Sequence, residues 1–225
     1  MHKEKNIHNK VELRFYGLSR SGNHAIIQWI IRHMKGKVRF LNHCSASKNP
    51  YKFKHSYKQW YNGMEVHAAH NFNHLDYLIF SYENQKLPNT KTSYFKKYHD
   101  KFFGPSDKIV DILILRDPFN HFASVLKSGM NVTASYLFSF EELWIDYAFE
   151  FLNKTNYLGN NTLKINYNKW VKDNSYKISI LQFLNLQQKS NSAVYNKIPK
   201  FGGGSSFDNL NYQDRADNMD VFSRW

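Results

Sequence analysis

Cysteine occurs once in 225 residues, at Cys44. A single thiol excludes an internal disulfide framework and suits a reducing compartment. Acidic side chains are scarce too: 18 Asp and Glu stand against 31 Lys and Arg, a formal charge of +13. A chain this basic attracts anions, whether nucleic acid, acidic polysaccharide, membrane surface or a multiply charged small molecule. The lysines are spread along most of the chain, so charge alone does not choose among these partners. Long apolar runs are missing as well. No segment reaches the roughly 18 uninterrupted apolar residues of a membrane span, and the opening MHKEKNIHNK lacks the apolar stretch of a secretory signal. Without a secretory route, the glycosylation triplets at Asn131, Asn153 and Asn160 carry little weight. These absences predict a cytoplasmic protein without a membrane segment. There is no internal repeat and no low-complexity linker. A hydrophobic content of 42% is ample for a globular core, so residues 1–225 read as one domain, with 1–10 as a flexible N-terminal segment.

Val11 to Gly17, VELRFYG, is short and β-prone with Leu13 and Phe15 on one face, and reads as a strand. From Gly22 to Met34, apolar residues at Ala25, Ile26, Ile27, Trp29, Ile30 and Met34 suit a helix buried along one side. A second strand is expected over Lys37 to Asn42. His43 to about Tyr61 has no clear period and reads as a variable excursion. Leu75 to Glu83 is a third strand, and Ile109 to Pro118, IVDILILRDP, a stronger one. Its continuously apolar centre, Ile112 to Leu115, is the mark of a strand covered on both faces of a parallel sheet. Asp117 then serves as a helix cap and Pro118 as a first helical residue. Ser139 with Glu142 has the form of a capping box. Phe140, Leu143, Trp144, Tyr147, Phe151 and Leu152 follow as a core-facing stripe. Thr162 to Tyr167 reads as a last strand and Tyr176 to Leu186 as a helix. Strands alternating with helices predict an α/β fold: three layers, with a mostly parallel central sheet, a P-loop-like strand–loop–helix and flanking helices.

Two stretches carry chemistry. In YGLSRSGNHAIIQWI, glycines 17 and 22 bracket LSRS where a strand turns into a helix. Such a turn can curl so that backbone N–H groups and the helix N-terminus hold a phosphate-like anion. A triphosphatase loop would continue with Lys and then Ser or Thr, to reach terminal phosphates and hold Mg²⁺. Here Asn23 and His24 stand in those places, and the charge sits earlier, at Arg20. The loop suits a phosphate but not a metal-bound triphosphate. In LILRDPFNHFASVL, Arg116 ends a buried strand and Ser124 lies nearly two helical turns beyond Pro118, so both can converge on one anion at the carboxyl edge of the sheet. Two anion sites on one edge point to a nucleotide phosphorylated at two places.

These residues resemble the P-loop sulfotransferases that use 3'-phosphoadenosine 5'-phosphosulfate (PAPS). SRSGNHAIIQWI is similar to their 5'-phosphosulfate loop, and ILILRDPFNHFASVL to their 3'-phosphate motif with its Arg and a Ser eight residues later. LKINYNKWVKD is similar to a later strand ending in Tyr, here Tyr167, and KFGGGSSFDN stands where the family closes a basic, Gly-containing loop over the 3'-phosphate. The resemblance implies that Arg20 contacts the phosphosulfate and steadies the leaving oxygen. It implies that the backbone of Ser21, Gly22, Asn23 and His24 holds the remaining oxygens, and that Arg116 and Ser124 take the 3'-phosphate. Lys200 with Gly202, Gly203 and Gly204 would complete that pocket. Asn23 and His24 replace hydroxyl residues usual in better-known members, and Ala25 stands where many have an aromatic residue against the adenine.

The function so implied is metal-independent transfer of a sulfuryl group from PAPS to a hydroxyl or amine, leaving 3'-phosphoadenosine 5'-phosphate (PAP). A hydroxyl acceptor needs a general base. Glu83, ending a strand, is the first candidate, and His67 or His70 the second. His67, His70 and His74 have the spacing of one helical face, which raises a metal site as an alternative; no metal is expected. The expected acceptor is a small molecule or saccharide, with positive charge favouring an anionic one, and neither nucleic acid nor membrane is an expected partner. A P-loop nucleotide kinase or NTPase, and a nucleotide-binding relative without turnover, stay open as alternatives.

Overall fold

The computed structural model describes residues 8–45, 48–50, 57–66, 74–129, 133–189, 205–209, 211–212 and 215–225. Seven strands among them form one sheet: β1 (His8–Gly17), β2 (Lys37–Leu41), β3 (Tyr57–Tyr61), β4 (Met64–Val66), β5 (His74–Glu83), β6 (Ser106–Leu115) and β7 (Leu163–Asn166). Their order is β4-β3-β2-β5-β1-β6-β7. In that order, neighbours from β2 through β7 run parallel, and β3 and β4 extend the sheet antiparallel at one edge. The α-helices among the described residues are α1 (Asn23–His33), α2 (Ser93–Phe103), α3 (Pro118–Lys127), α4 (Ala134–Phe151), α5 (Tyr167–Lys172) and α6 (Asn174–Phe183). This is the mostly parallel α/β sheet that the alternating pattern predicts.

Alternation along each strand sends side chains into two cores, one on each face. Leu13 and Phe15 of β1, Ile79 of β5 and Ile112 and Ile114 of β6 pack with Ile26, Ile27 and Ile30 of α1 and Ile180 and Leu181 of α6. Tyr16, Leu78, Phe80, Tyr82 and Leu113 pack on the other face with Phe95 and Phe103 of α2, Val125 of α3 and Phe140 and Tyr147 of α4. From β1 the chain crosses one face by way of α1 to β2. From β5 it returns over the other face by way of α2 to β6. The direction therefore reverses at the carboxyl end of β1, the place in an open α/β sheet where ligands bind. Among the described residues no helix is long and apolar enough to cross a membrane.

Local signals explain several boundaries. The Asp117 carboxylate accepts from the Asn120 amide at 2.9 Å, with Pro118 in the first turn of α3. Thr92, Asn166 and Asp173 cap α2, α5 and α6 in the same way. Other expectations need correction. β1 starts at His8, so residues 8–10 belong to the sheet. The stretch read as an excursion contains β3, because pairing with β2 supplies what a local period does not. Ser139 lies inside α4 and so is not its N-cap: the run from Ala134 has no Gly or Pro to stop a helix starting earlier. Leu152 is 61% exposed, just past the end of α4, where Asn153 turns left-handed. Tyr167 opens α5 rather than ending β7. α6 occupies Asn174–Phe183, two residues ahead of its expected start.

Candidate active site

Because β1, β5, β6 and β7 are parallel, their carboxyl ends line one edge. Gly17 stands opposite Glu83, and Leu115 opposite Asn166. The loop after β1 is tight: the Ser21 amide donates to the Leu18 carbonyl at 3.1 Å, and Arg20 is left-handed with φ 68°. Gly22, with φ 92°, is the N-cap of α1, which takes no side-chain cap, so the positive end of the helix faces the loop. The loop is clamped at Ser19. Its amide donates to Asn84 Oδ1 at 2.8 Å and its hydroxyl accepts from Asn84 Nδ2 at 2.8 Å. Its carbonyl accepts from His121 Nε2 of α3 at 2.8 Å. Burial holds His121 down to about 4, against the raising effect of the Ser19 carbonyl, so the ring is neutral. His121 lies within the stretch that follows Arg116, yet nothing in its spacing assigns it a task. Tertiary packing alone reveals its role.

Asn23 points inward. Its amide donates to the Leu18 carbonyl at 3.2 Å and to Glu83 Oε1 at 3.3 Å, and its Oδ1 accepts from Ser21 Oγ at 2.8 Å. A β-carbon on Gly17 would lie 2.0 Å from Asn23 Oδ1, so the missing Cβ makes room for this strut. The side chain that stands in place of a phosphate-reaching lysine is thus a brace for the loop. His24 contacts Asn42 Oδ1 through Nε2 at 2.9 Å and sets its ring edge-on to Phe40.

On the other side of the loop, Arg116 leaves β6 with only 4% exposure. Its Nη1 donates to the Arg20 carbonyl at 3.2 Å and to Ser124 Oγ at 3.1 Å; its Nη2 donates to the Val221 carbonyl at 3.0 Å. Its guanidinium lies 4.9 Å over the Tyr167 ring. Arg116 and Ser124, eight residues apart, are in direct contact. A third guanidinium, Arg224, completes the group. It donates to Asp208 Oδ2 at 2.9 Å and lies 5.0 Å over the Phe207 ring, while its backbone amide donates to Asn120 Oδ1 at 2.9 Å. Burial, and then the charge of Arg224, lowers Arg20. Burial lowers Arg116 most, with Arg224 and Arg20 adding to the effect against Tyr167 and Asp117. Arginine keeps its proton throughout, so mutually repelling cations are gathered at one edge. No local pattern marks Arg224; its partners Asn120 and Asp208 lie far from it in sequence.

Glu83 sits beside the loop, 12% exposed at the side chain. Its Oε1 accepts from Asn23 and its Oε2 from Ser19 Oγ at 3.4 Å. His43 Nδ1 lies 3.5 Å from Oε2 and His24 Nε2 3.9 Å from Oε1. Burial pushes Glu83 up, but the His43 and Asn23 hydrogen bonds and the His24 charge outweigh it, leaving the group below its ordinary value and ionised.

The remaining sequence candidates divide in two. Tyr167 is at the site. His67, His70, Lys200, Gly202, Gly203 and Gly204 lie outside the described residues. His74 opens β5, where its ring stacks on His8 at 5.4 Å; it is on a strand, so the helical face drawn through it does not form. Among the described residues, no three His, Cys, Asp or Glu gather as metal ligands.

No protein-family model matches the chain, and no curated protein matches it significantly. Among solved structures, mouse sulfotransferase SULT7A1 complexed with PAP is similar to it. The match covers 80% of this chain and 60% of that one, at 15% identity and a TM-score of 0.45. The chain thus spans about three-fifths of the length of that sulfotransferase.

The geometry sets two groups side by side that could each take an anion. One is the N-terminus of α1 with Arg20; the other is Arg116, Ser124 and Arg224. The bond from Arg116 to the Arg20 carbonyl fixes them side by side. Glu83 flanks the first group through Asn23 and Ser19, so a carboxylate and two imidazoles stand next to the loop on the side away from Arg116.

Proposed function

We propose that this chain is a sulfotransferase that takes PAPS as donor and passes its sulfuryl group to a hydroxyl or amine of a small molecule or saccharide. The observation that carries this reading is Arg116, which holds Ser124 and the backbone of Arg20 with one nitrogen. That contact ties a phosphate loop to a second anion subsite, as a donor with phosphates at both its 5' and 3' positions requires. The residues fit such a nucleotide. The uncapped α1 and the backbone of Ser21, Gly22, Asn23 and His24 suit the 5'-phosphosulfate. Arg116, Ser124 and Arg224 suit the 3'-phosphate through charge-assisted bonds, and Tyr167 walls the space between.

In-line sulfuryl transfer, like phosphoryl transfer, rests on alignment and on stabilising charge at the outgoing oxygen. Arg20, in the loop after β1 beside the N-terminus of α1, is the residue we assign to that second task. Loss of such a contact typically costs about 2.7–4 kcal/mol of barrier. Asn23 braces the loop from inside where a triphosphatase has its lysine, and His24 stands where it has the hydroxyl that holds Mg²⁺, so the proposed transfer calls for no metal. Calorimetric titration with PAP and with ATP, first in EDTA and then in Mg²⁺, tests the reading. Micromolar PAP binding in EDTA with little ATP binding supports it. Preference for ATP with Mg²⁺ replaces it with a nucleotide kinase, and binding of neither rejects both.

A further inference from the structure

Glu83 is poorly suited to remove a proton from an acceptor. It is an enclosed carboxylate whose two oxygens face donors from Asn23, Ser19, His43 and His24. A base held below its ordinary value is also a weak one. His43 has the opposite properties. It follows β2 at the same sheet edge and its side chain is 64% exposed. Its backbone is left-handed, with φ 53°, a conformation that is costly for a residue other than Gly and that clusters at functional sites. The surrounding turn is stitched to β5: the His43 amide donates to Ser81 Oγ at 3.0 Å, Ser81 Oγ donates to Asn42 Oδ1 at 3.0 Å, and the Cys44 amide donates to the Ser81 carbonyl at 2.8 Å. That turn brings His43 Nδ1 to 3.5 Å from Glu83 Oε2, a long contact of the kind that tightens when a substrate binds.

We propose that His43 is the general base of this enzyme and that Glu83 is its positioning residue. The inference rests on the PAPS reading above. With Nδ1–H directed at Glu83, the lone pair resides on Nε2. His43 Nε2 takes the proton of the acceptor hydroxyl as the acceptor oxygen bonds to sulfur. The bond from sulfur to the 5'-phosphate oxygen breaks, and its electron pair leaves with PAP beside Arg20. The imidazolium that results faces an ionised carboxylate. Among the described residues, the charged and titratable groups around the pair are Glu83 from β5, His24 from α1 and, across Glu83, Arg20 from the loop. The hydrogen bond to Glu83 is the largest influence on His43 and raises it, toward the range in which a base works best at neutral pH.

The test uses the full chain as wild type, His43→Gln and Glu83→Gln, with water as the acceptor and sulfate release from PAPS as the readout. PAP affinity and the titration of the His43 ring by NMR are measured alongside. His43→Gln is expected to bind PAP as wild type does and to release sulfate at least tenfold more slowly. The acid limb of the wild-type pH–rate profile is expected above the ordinary histidine value of about 6.5, coincident with the His43 titration, and both should move to lower pH in Glu83→Gln. An unchanged rate in His43→Gln, or a His43 titration that ignores Glu83→Gln, overturns the assignment while PAP binding leaves the donor reading intact. A wild type that binds PAP without releasing sulfate overturns it too. If wild type neither binds PAP nor consumes PAPS, the donor reading itself fails and the base assignment falls with it.

Discussion

The Tyr167 ring fills the space that a β-carbon on Gly22 would need, its Cε2 lying 2.2 Å from that position. Gly22 also has φ 92°, so a side chain there meets both backbone strain and an aromatic wall. Tyr167 is in turn the ring under Arg116, which links the loop after β1 to the start of α5. Gly22→Ala is expected to lower the unfolding free energy by about 1–3 kcal/mol, the usual cost of a strained backbone position, and to abolish PAP binding. Urea denaturation and calorimetry check the pair. Wild-type values for both would show that the ring yields easily.

Arg116→Ala should weaken PAP binding by tenfold or more, since charge-assisted hydrogen bonds are worth roughly 1.5–3 kcal/mol. Arg116→Lys should recover little of this. An ammonium cannot serve the Arg20 carbonyl, Ser124 and Val221 at once as the planar fork does. Full recovery by lysine would reduce Arg116 to a source of charge.

Arg224→Gln tests whether the third guanidinium belongs to the proposed nucleotide site. Its charge is felt by both Arg20 and Arg116, so PAP affinity should fall severalfold and depend less steeply on salt. If affinity and salt dependence both stay at wild-type values, Arg224 only fastens the C-terminal segment to Asp208 and Asn120.

His121 makes stability depend on pH. It is held at about 4 in the folded chain, whereas an unfolded histidine titrates near 6.5. Between those values the unfolded chain binds the additional proton, so stability falls as pH drops through this window. The loss from His121 amounts to about 3 kcal/mol by its lower end. His121→Gln should flatten the slope of unfolding free energy against pH over the same range. Parallel wild-type and variant curves would mean that the buried ring is readily protonated.

What can be read in the sequence follows from how local each signal is. The loop from Gly17 to Gly22 and the pairing of Arg116 with Ser124 depend on one strand, one turn and one helix, and each is visible as a short pattern. Glu83 is visible as a strand end. β3 cannot be seen, because its antiparallel pairing with β2 is a long-range choice without a period of its own. Arg224 and His121 escape for the same reason: one reaches Asp208 and Asn120, the other the Ser19 carbonyl, and none of these partners lies within one helical turn. His43 is hidden inside an aperiodic stretch, and only the register of β2 against β5 brings it to Glu83. The capping box at Ser139 shows the reverse failure, a convincing local pattern overridden by a helix already under way.

Arg116 also holds the Val221 carbonyl, so residues 20, 116, 124 and 221 meet at one guanidinium. During synthesis, β1 to β7 are all made more than fifty residues before Val221. A ribosome-bound chain halted before that point can assemble its sheet, yet it holds Arg116 with one anchor missing. On the proposed donor reading, nucleotide capture is then a later event in the life of the chain than the forming of its core. Stalled chains of increasing length would acquire PAP binding abruptly, once Val221 and Arg224 clear the exit tunnel.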